Sequence, residues 1–168
     1  MLLHTAWALQ ASMHLRTADE RPSTSLPATS HVQSIAVGQS IPALGLQHDK
    51  WSDVNAVLFF RRDCVYCKAS LHFYRDLATL KDVSSGRFRL IVVGPDSVSD
   101  VSEMLQANRI QPDSIQSLPL TVAGVSGTPT LALLDVNGVI RRLWTGQLQQ
   151  SEERQALDWI QKFLKVTH

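Results

Sequence analysis

The chain has 168 residues, of which 44% are hydrophobic and 18% charged, and its formal net charge at neutral pH is +1. This length and balance fit one globular domain with a short extension. With so little net charge and no basic stripe, the sequence gives no sign of a nucleic-acid partner. The two cysteines are too close together to hold a fold by a disulfide framework, so they predict chemistry rather than scaffolding.

The amino-terminal end differs from the rest of the chain. Residues 1–15 contain no Lys, Arg, Asp or Glu. They are shorter than the ~20 residues that span a bilayer and lack the basic start of a signal peptide. Two interpretations stay open, a membrane anchor or signal remnant and an amphipathic helix. Residues 16–34 are polar and rich in Ser, Thr and Pro, which predicts a flexible tether before a compact domain over 35–168.

The first half of the compact domain alternates strands with a helix. Residues 37–46 predict a turn and a short edge strand, because Pro42 cannot donate to a sheet ladder. The apolar run 56–60 predicts a strand that is buried on both faces, as in a parallel sheet. Apolar positions at helical spacing predict a helix over 64–81, and a second apolar run predicts a strand over 88–93.

The next segment is less regular. Its first part predicts a helix over 97–109, capped by Ser97 or Ser99. Residues 110–120 have no clear periodicity, and the pattern favours a short extended piece only at 118–120. We therefore expect a helix and then an irregular connection that includes this short piece.

The last part of the chain predicts a hairpin and a final helix. Strands are expected at 131–134 and 139–144. Between them Asn137-Gly138 predicts a type I′ turn, in which both central residues have positive φ. Ser151 is expected to cap the final helix, which has acidic residues in its first turn.

Cys64 and Cys67 lie where the first buried strand gives way to a helix. Unpaired N–H groups and the positive end of the helix dipole favour a thiolate at Cys64, and Arg61 and Arg62 add positive charge. A thiol with a lowered pKa attacks a disulfide and forms a mixed disulfide. Cys67, one helical turn later, can then attack Cys64 and resolve that intermediate.

Two other interpretations of the cysteine pair are a zinc half-site and a pair of inert core thiols. Zinc usually takes four ligands, and only histidines such as His48 and His72 could complete the set. The sequence has no second C-x-x-C and no H-x-H pattern, which disfavours zinc. The position at a strand-to-helix junction disfavours a pair of inert thiols.

Over residues 35–166 the sequence resembles the thioredoxin superfamily. The resemblance lies in three ordered features: Cys64-Val65-Tyr66-Cys67, Gly127-Thr128-Pro129-Thr130 and the Asn137-Gly138 hairpin ahead of a terminal helix. It implies an α/β, thioredoxin-like fold, with a central mixed β-sheet flanked by helices and an insertion between the βαβ and ββα halves. It also implies that Pro129 follows a cis bond, that the backbone of Thr128 binds an extended substrate segment, and that Tyr66 contacts substrate.

The long stretch from Gly94 to Gly127 indicates one branch of the superfamily, since it leaves room for an extra helix and a short strand. It is similar to the tethered, extracytoplasmic thioredoxin-like proteins of the TlpA/ResA type. The likeness implies protein disulfide or dithiol substrates, a redox donor partner, a monomer and no cofactor besides a Cys64–Cys67 disulfide, with no metal.

Three positions depart from the superfamily pattern. Asp63 replaces the usual Trp before the first cysteine, and Val65-Tyr66 is an uncommon dipeptide between the cysteines. Leu58 stands where many thioredoxins have a buried acid, six residues before the first cysteine. The proton of Cys67 must then be handled by water or by another group. His48 and His72 are candidates for that group, and the other interpretation of each is a plain loop or helix-surface residue.

The functional hypothesis is an enzyme, a thiol–disulfide oxidoreductase that reduces protein disulfides on the periplasmic side of a membrane. One alternative is a peroxiredoxin-like peroxidase. That family has Thr or Ser three residues before its reactive cysteine, where this chain has Arg61. The other alternative is a thiol-based maturation or metal-delivery module, because thiolates suit copper(I).

Overall fold

The computed structural model describes residues 34–46 and 51–166. The predicted anchor, nearly all of the predicted tether and His48 lie outside the described residues. Within the described ranges no helix has the length and apolar character needed to cross a membrane.

The described residues form one mixed sheet with helices packed on it. The strands are β1 (Val54–Phe59), β2 (Phe88–Gly94), β3 (Ser114–Ser117), β4 (Thr130–Asp135) and β5 (Ile140–Thr145). The helices are α1 (Val65–Ala69), α2 (Leu71–Asp82), α3 (Val98–Ala107) and α4 (Gln150–Val166). The strand order is β3-β2-β1-β4-β5. β1 pairs in parallel with β2 and antiparallel with β4, so the predicted mixed sheet is confirmed.

β1 is the middle strand, and all six of its residues are buried. Alternate side chains of β1 enter two separate core clusters, as the two-residue period of a strand requires. The first cluster includes buried residues of α2, α3 and α4. The second is covered by Ile41 and Leu44 and by residues of the segment 118–125. Burial on both faces explains why the β1 sequence is a continuous apolar run.

Asn55 is the one polar residue of β1, and it is fully buried. Its Nδ2 donates to the carbonyl oxygens of Ser52, at 2.8 Å, and Asp135, at 3.3 Å. Its Oδ1 accepts from the N–H of Ser52 at 3.0 Å. The amide is therefore satisfied, as a buried polar group must be, and it ties the start of β1 to the end of β4.

The single helix predicted over 64–81 is wrong in one respect, because the chain forms two helices that meet at Ser70. The Ser70 hydroxyl donates to the carbonyl oxygen of Tyr66 at 2.9 Å. A serine that bonds to its own helix in this way competes with the helical ladder and bends it. The bend sets α1, which follows the first cysteine, apart from the longer α2.

The insertion between the two halves contains α3 and β3, as the long stretch from Gly94 predicted. Ser97 caps α3, since its Oγ accepts from the N–H of Asp100. The extended piece predicted at 118–120 is wrong, and the strand lies at Ser114–Ser117 instead. Asp113 sets its register on β2, because its N–H donates to the Leu90 carbonyl oxygen and its carboxylate accepts from the Leu90 N–H, both at 2.8 Å.

The front of the domain has no edge strand, which corrects the prediction for 37–46. Pro42–Leu44 is a 3₁₀ turn, and only Ser40 forms a bridge, to Val139. A proline is well accommodated at the first position of such a turn, where its missing N–H leaves no bond unmade.

The predicted hairpin is present, but its turn is not type I′. Gly138 has φ 71°, whereas Asn137 is absent from the described residues with positive φ. The N–H of Gly138 donates to the Asp135 carbonyl oxygen at 2.9 Å, and that of Asp135 to the Val139 carbonyl oxygen at 3.1 Å. This is the three-residue loop in which a left-handed glycine follows a type I turn. The Asp135 carboxylate accepts from the N–H groups of Asn137 and Val139, which favours this turn.

The final helix begins at Gln150, so Ser151 lies within the helix and is not its cap, which corrects that prediction. The N–H of Gln149 donates to Glu152 Oε2 at 2.8 Å, and the Gln149 carbonyl oxygen accepts from the N–H of Glu152. The acidic side chain therefore reaches back to the residue before the helix, as in one half of a capping box.

Candidate active site

Cys64 caps the amino-terminal end of α1, as predicted. Its backbone is extended, with φ −73° and ψ 118°, and its Sγ accepts from the N–H of Cys67 at 3.3 Å. A cap residue in this position satisfies one of the free N–H groups at a helix start. Both cysteines are free thiols, with Cys64 partly exposed and Cys67 buried.

Sheet pairing brings the second predicted motif to the same place. β1 and β4 are antiparallel neighbours, and Phe59 at the end of β1 pairs with Thr130 at the start of β4. The residues after β1 and those before β4 therefore meet at the same end of these two strands. The Thr128–Pro129 bond is cis, which confirms that prediction. The Sγ of Cys64 donates to the carbonyl oxygen of Thr128 at 3.3 Å.

Burial alone would raise the pKa of the Cys64 thiol. Hydrogen bonds from the Thr128 side chain and from the Cys67 backbone act in the opposite direction and leave this pKa below its ordinary value. The bond from the thiol to the Thr128 carbonyl favours the protonated form, and ionisation breaks it. The thiolate then retains the donors that stabilise its charge.

The pKa of Cys67 moves the other way. Burial raises it to about 12, the Arg61 backbone opposes this rise, and a negative charge on Cys64 adds to it. Cys67 is fully buried, so its thiolate has little solvent to stabilise it. The Cys64 thiol therefore ionises more readily than an ordinary cysteine, and the Cys67 thiol less readily.

Arg61 and Arg62 flank this pair but bind carboxylates. Arg61 Nη2 lies 2.9 Å from Asp63 Oδ2, and Arg62 Nη1 lies 3.1 Å from Asp100 Oδ2. The Arg62 N–H donates to Asp96 Oδ2 at 2.8 Å, which ties the turn before Cys64 to the segment after β2. Neither guanidinium is among the causes of the lowered Cys64 pKa. Their role as thiolate-stabilising residues stays a prediction, which rests on the long-range effect of their positive charges on the Cys64 thiolate.

The surface beside Cys64 is apolar and exposed. Tyr66 is 58% exposed and Val65 is 67% exposed, both within the first turn of α1. Pro129 is buried, and Thr128 is half-buried. The positions are compatible with substrate contact by Tyr66, Thr128 and Pro129, which stays a prediction.

The sequence interpretation missed the groups that lie behind Cys67. Ser70 and Tyr74 are buried on the helical turns after it, and Glu153 of α4 is buried nearby against His72. Cys67, Ser70 and Tyr74 follow an i, i+3, i+7 spacing, which would place them on one face of the single helix that the sequence predicted. That spacing was the available signal. In the described part of the chain, no cluster of three or more His, Cys, Asp or Glu could hold a metal ion.

No protein-family model and no curated protein sequence matches this chain. Solved structures do match it. A protein named as thiol:disulfide interchange protein DsbE from Chlorobium tepidum has a TM-score of 0.62 and 19% identity, over 78% of this chain and 99% of that one. A thiol:disulfide interchange protein from Bacteroides sp. has a TM-score of 0.59 and 16% identity, over 79% of this chain and 93% of that one.

A third match is a secreted thiol-disulfide isomerase from Corynebacterium glutamicum. Its TM-score is 0.56 and its identity 16%, over 70% of this chain and 74% of that one. At these identities the likeness establishes the fold. The chain has the thioredoxin-like α/β fold that the resemblance implied.

Proposed function

We propose that the protein is a thiol–disulfide oxidoreductase in which Cys64 attacks a substrate disulfide and Cys67 resolves the product. The observation that carries this proposal is the placement of the two thiols within one helical turn: Cys64 is partly exposed at the start of α1, against the Thr128 carbonyl oxygen, and Cys67 is buried. The pKa of Cys64 is accordingly lowered and that of Cys67 raised. An attacking thiol must be ionised near neutral pH, whereas a resolving thiol must wait until the mixed disulfide has formed.

The reaction has two steps. The Cys64 thiolate bonds to one sulfur of the substrate disulfide, and the other sulfur leaves as a thiolate that takes up a proton. Cys67 then loses its proton, bonds to Cys64 and displaces the remaining substrate sulfur. Two electrons have passed to the substrate, and a Cys64–Cys67 disulfide remains for a redox donor partner to reduce.

The substrate is an extended segment of a protein chain, held by the backbone of Thr128. In the resting site the Thr128 carbonyl oxygen accepts from the Cys64 thiol. Ionisation of Cys64 frees this oxygen for an N–H group of the substrate, so activation of the nucleophile also opens the docking position. Main-chain pairing of this kind is independent of sequence, while exposed Tyr66 beside the thiol supplies apolar contact.

The finer proposal is a monomeric reductase that works outside the cytoplasm on a tether. Two observations support it. The matched Corynebacterium glutamicum protein is secreted, and residues 16–34 of this chain have the composition of a flexible linker.

Paired cysteine variants test the proposal. Cys64→Ser abolishes turnover in a disulfide-reduction assay, and Cys67→Ser accumulates substrate mixed disulfides on Cys64. Full activity in Cys64→Ser would refute the proposal. Rapid peroxide oxidation of Cys64 to a sulfenic acid, or stoichiometric copper(I) binding without reductase activity, would instead favour the peroxidase or the metal-delivery alternative.

A further inference from the structure

The turn that connects β1 to the attacking cysteine is exposed over all of residues 61–63. The N–H of Cys64 donates to the Arg61 carbonyl oxygen at 3.3 Å and closes this turn. That bond leaves the N–H of the second turn residue, Arg62, without a partner inside the turn. The position of Cys64 therefore depends on what binds the turn from outside.

The carboxylate of Asp96 binds the turn at this point. Asp96 Oδ2 accepts from the N–H of Arg62 at 2.8 Å, across 34 positions of the chain. A hydrogen bond to an ionised carboxylate is roughly twice as strong as one between neutral groups. Asp96 is half-buried, whereas the turn that it binds is exposed. The carboxylate thus connects an exposed turn to a better-packed part of the domain.

The start of α3 holds Asp96 in place and adds a second contact. Ser97, the next residue, caps α3, since its Oγ accepts from the N–H of Asp100, and buried residues of α3 anchor this helix in the larger core cluster. Asp100 Oδ2 also lies 3.1 Å from Arg62 Nη1. Both side chains of that ion pair are about half exposed, so the pair contributes little by itself. The bond from the Arg62 backbone to Asp96 is therefore the main contact.

The ends of β1 and β2 bring the two segments together. The N–H of Phe60 donates to the Val93 carbonyl oxygen at 2.8 Å. A side chain at Gly94 would collide with the Phe60 carbonyl oxygen, so the two strand ends approach as closely as a glycine permits. One segment then leads to Cys64 and the other to Asp96, which places the carboxylate beside the turn.

The contacts that stabilise a Cys64 thiolate are sensitive to the position of this turn. Cys64 Sγ lies 3.3 Å from both the N–H nitrogen of Cys67 and the carbonyl oxygen of Thr128. Burial raises the pKa of Cys64, and hydrogen bonds from the Thr128 side chain and the Cys67 backbone lower it overall. Hydrogen bonds weaken steeply as their geometry worsens. A displaced turn would therefore loosen these bonds and raise the pKa.

The charge of Asp96 acts in the opposite direction from its hydrogen bond. The other charged groups of the turn are already paired, Arg61 with Asp63 and Arg62 with Asp100. A nearby negative charge disfavours a thiolate, because like charges repel. An effect of charge and an effect of position therefore have opposite signs and can be separated by experiment.

We propose that Asp96 is a positioning residue, which holds the turn before Cys64 so that the attacking sulfur stays aligned with its hydrogen-bond donors. This inference rests on the proposed oxidoreductase function, because it concerns the nucleophile of that reaction. It also gives the insertion between the two halves of the fold a role in the reaction. The segment that leads into α3 acts on the active site through one carboxylate.

The test compares Asp96→Ala, which removes the hydrogen bond, with Asp96→Asn, which removes the charge but keeps an acceptor oxygen. The pH dependence of Cys64 alkylation by iodoacetamide is followed by peptide mass spectrometry. In Asp96→Ala we expect the pKa of Cys64 to rise and alkylation near neutral pH to slow about threefold, as the thiolate fraction falls. Asp96→Asn should match or exceed the rate of the unmodified protein, since loss of a negative charge favours the thiolate.

Two further variants serve as controls. Asp158→Ala, at an exposed position of α4, makes the same change far from the turn in sequence and should leave the profile unchanged. Asp100→Ala removes only the ion pair and should change the profile less than Asp96→Ala does. Urea unfolding identifies the pH range in which each variant is folded, and the alkylation rates are compared within that range.

An Asp96→Ala protein with the alkylation profile of the unmodified protein would overturn the inference. So would a lowered pKa of Cys64 in both Asp96 variants, because the charge would then be the whole effect. Oxidation of the unmodified protein with glutathione disulfide tests the proposed function separately. If Cys64 and Cys67 form no disulfide with each other, the oxidoreductase proposal fails, whereas the alkylation profiles still decide the role of Asp96.

Discussion

The sulfur of Cys64 lies 3.3 Å from the carbonyl oxygen of Thr128, although 64 positions separate the two residues. Antiparallel pairing of β1 with β4 produces this contact, because Phe59 at the end of β1 lies opposite Thr130 at the start of β4. The contact assembles the nucleophile and the expected substrate-binding backbone into one site. The sheet therefore does more than support the site, since its register determines which residues meet there.

The Thr128 side chain should influence how readily Cys64 ionises. We expect Thr128→Val to raise the pKa of Cys64, because the hydroxyl is one of the groups that lower it. Attack on a disulfide near neutral pH should slow several-fold, as roughly expected when the thiolate fraction falls. The measurement is the pH dependence of Cys64 alkylation. Thr121→Val, in an exposed loop, is the control and should leave the profile unchanged.

The Asp135 carboxylate should stabilise the hairpin in a pH-dependent way. Burial opposes its ionisation, but the N–H groups of Val139 and Asn137 and the Arg141 guanidinium lower its pKa overall. A depressed carboxyl pKa contributes stability above the unfolded-state value, and this contribution is lost as pH falls through the folded-state pKa. Asp135→Asn should therefore lower the free energy of unfolding by about 1–3 kcal/mol at pH 7.

The loss in free energy of unfolding caused by Asp135→Asn should shrink as the pH falls below the ordinary aspartate pKa of about 3.9. Urea unfolding at several pH values measures it. Asp158→Asn, at an exposed position of α4, is the control and should show no such change. A deficit that is constant from pH 7 to pH 3 would contradict the role assigned to the Asp135 charge.

The core between α2 and the sheet should be sensitive to lost volume. Leu77 is fully buried in the larger cluster, so Leu77→Ala should lower the free energy of unfolding by about 2–5 kcal/mol. Val83→Ala, at a position that is 73% exposed, should change it by less than about 0.5 kcal/mol. Equal effects of the two substitutions in urea unfolding would show that α2 does not pack as described.

The three central strands and the edge strand β5 could be predicted from the sequence, whereas the other edge strand, β3, could not. β1, β2 and β4 are apolar runs because both of their faces are buried. β3 at Ser114–Ser117 contains one apolar residue, and its register depends on the bonds between Asp113 and Leu90. A strand whose register is set by bonds to a backbone far away in the sequence leaves no local pattern in the sequence. The break at Ser70 likewise arises from one hydroxyl bonding to its own helix.

The site was predictable to a similar, partial extent. The spacing of Cys64 and Cys67 identifies the dithiol and the order of its two reactions, since a helix start favours a thiolate. Thr128 and Pro129 could be assigned only through a family resemblance, because their place beside Cys64 depends on strand order. Tyr74, whose buried hydroxyl forms no hydrogen bond with the described residues, was missed, since such a group becomes visible only when its whole surroundings are known.

The most direct test of the account is the separate titration of the two thiols. The reduced protein is alkylated with iodoacetamide across a range of pH, and the modification of each cysteine is followed by peptide mass spectrometry. We expect Cys64 to react with an apparent pKa below that of an ordinary cysteine thiol. Cys67, whose pKa is raised to about 12, should stay unmodified until far higher pH. Titration of both thiols together near the ordinary value, or of Cys67 before Cys64, would contradict the division of roles on which the proposed function depends.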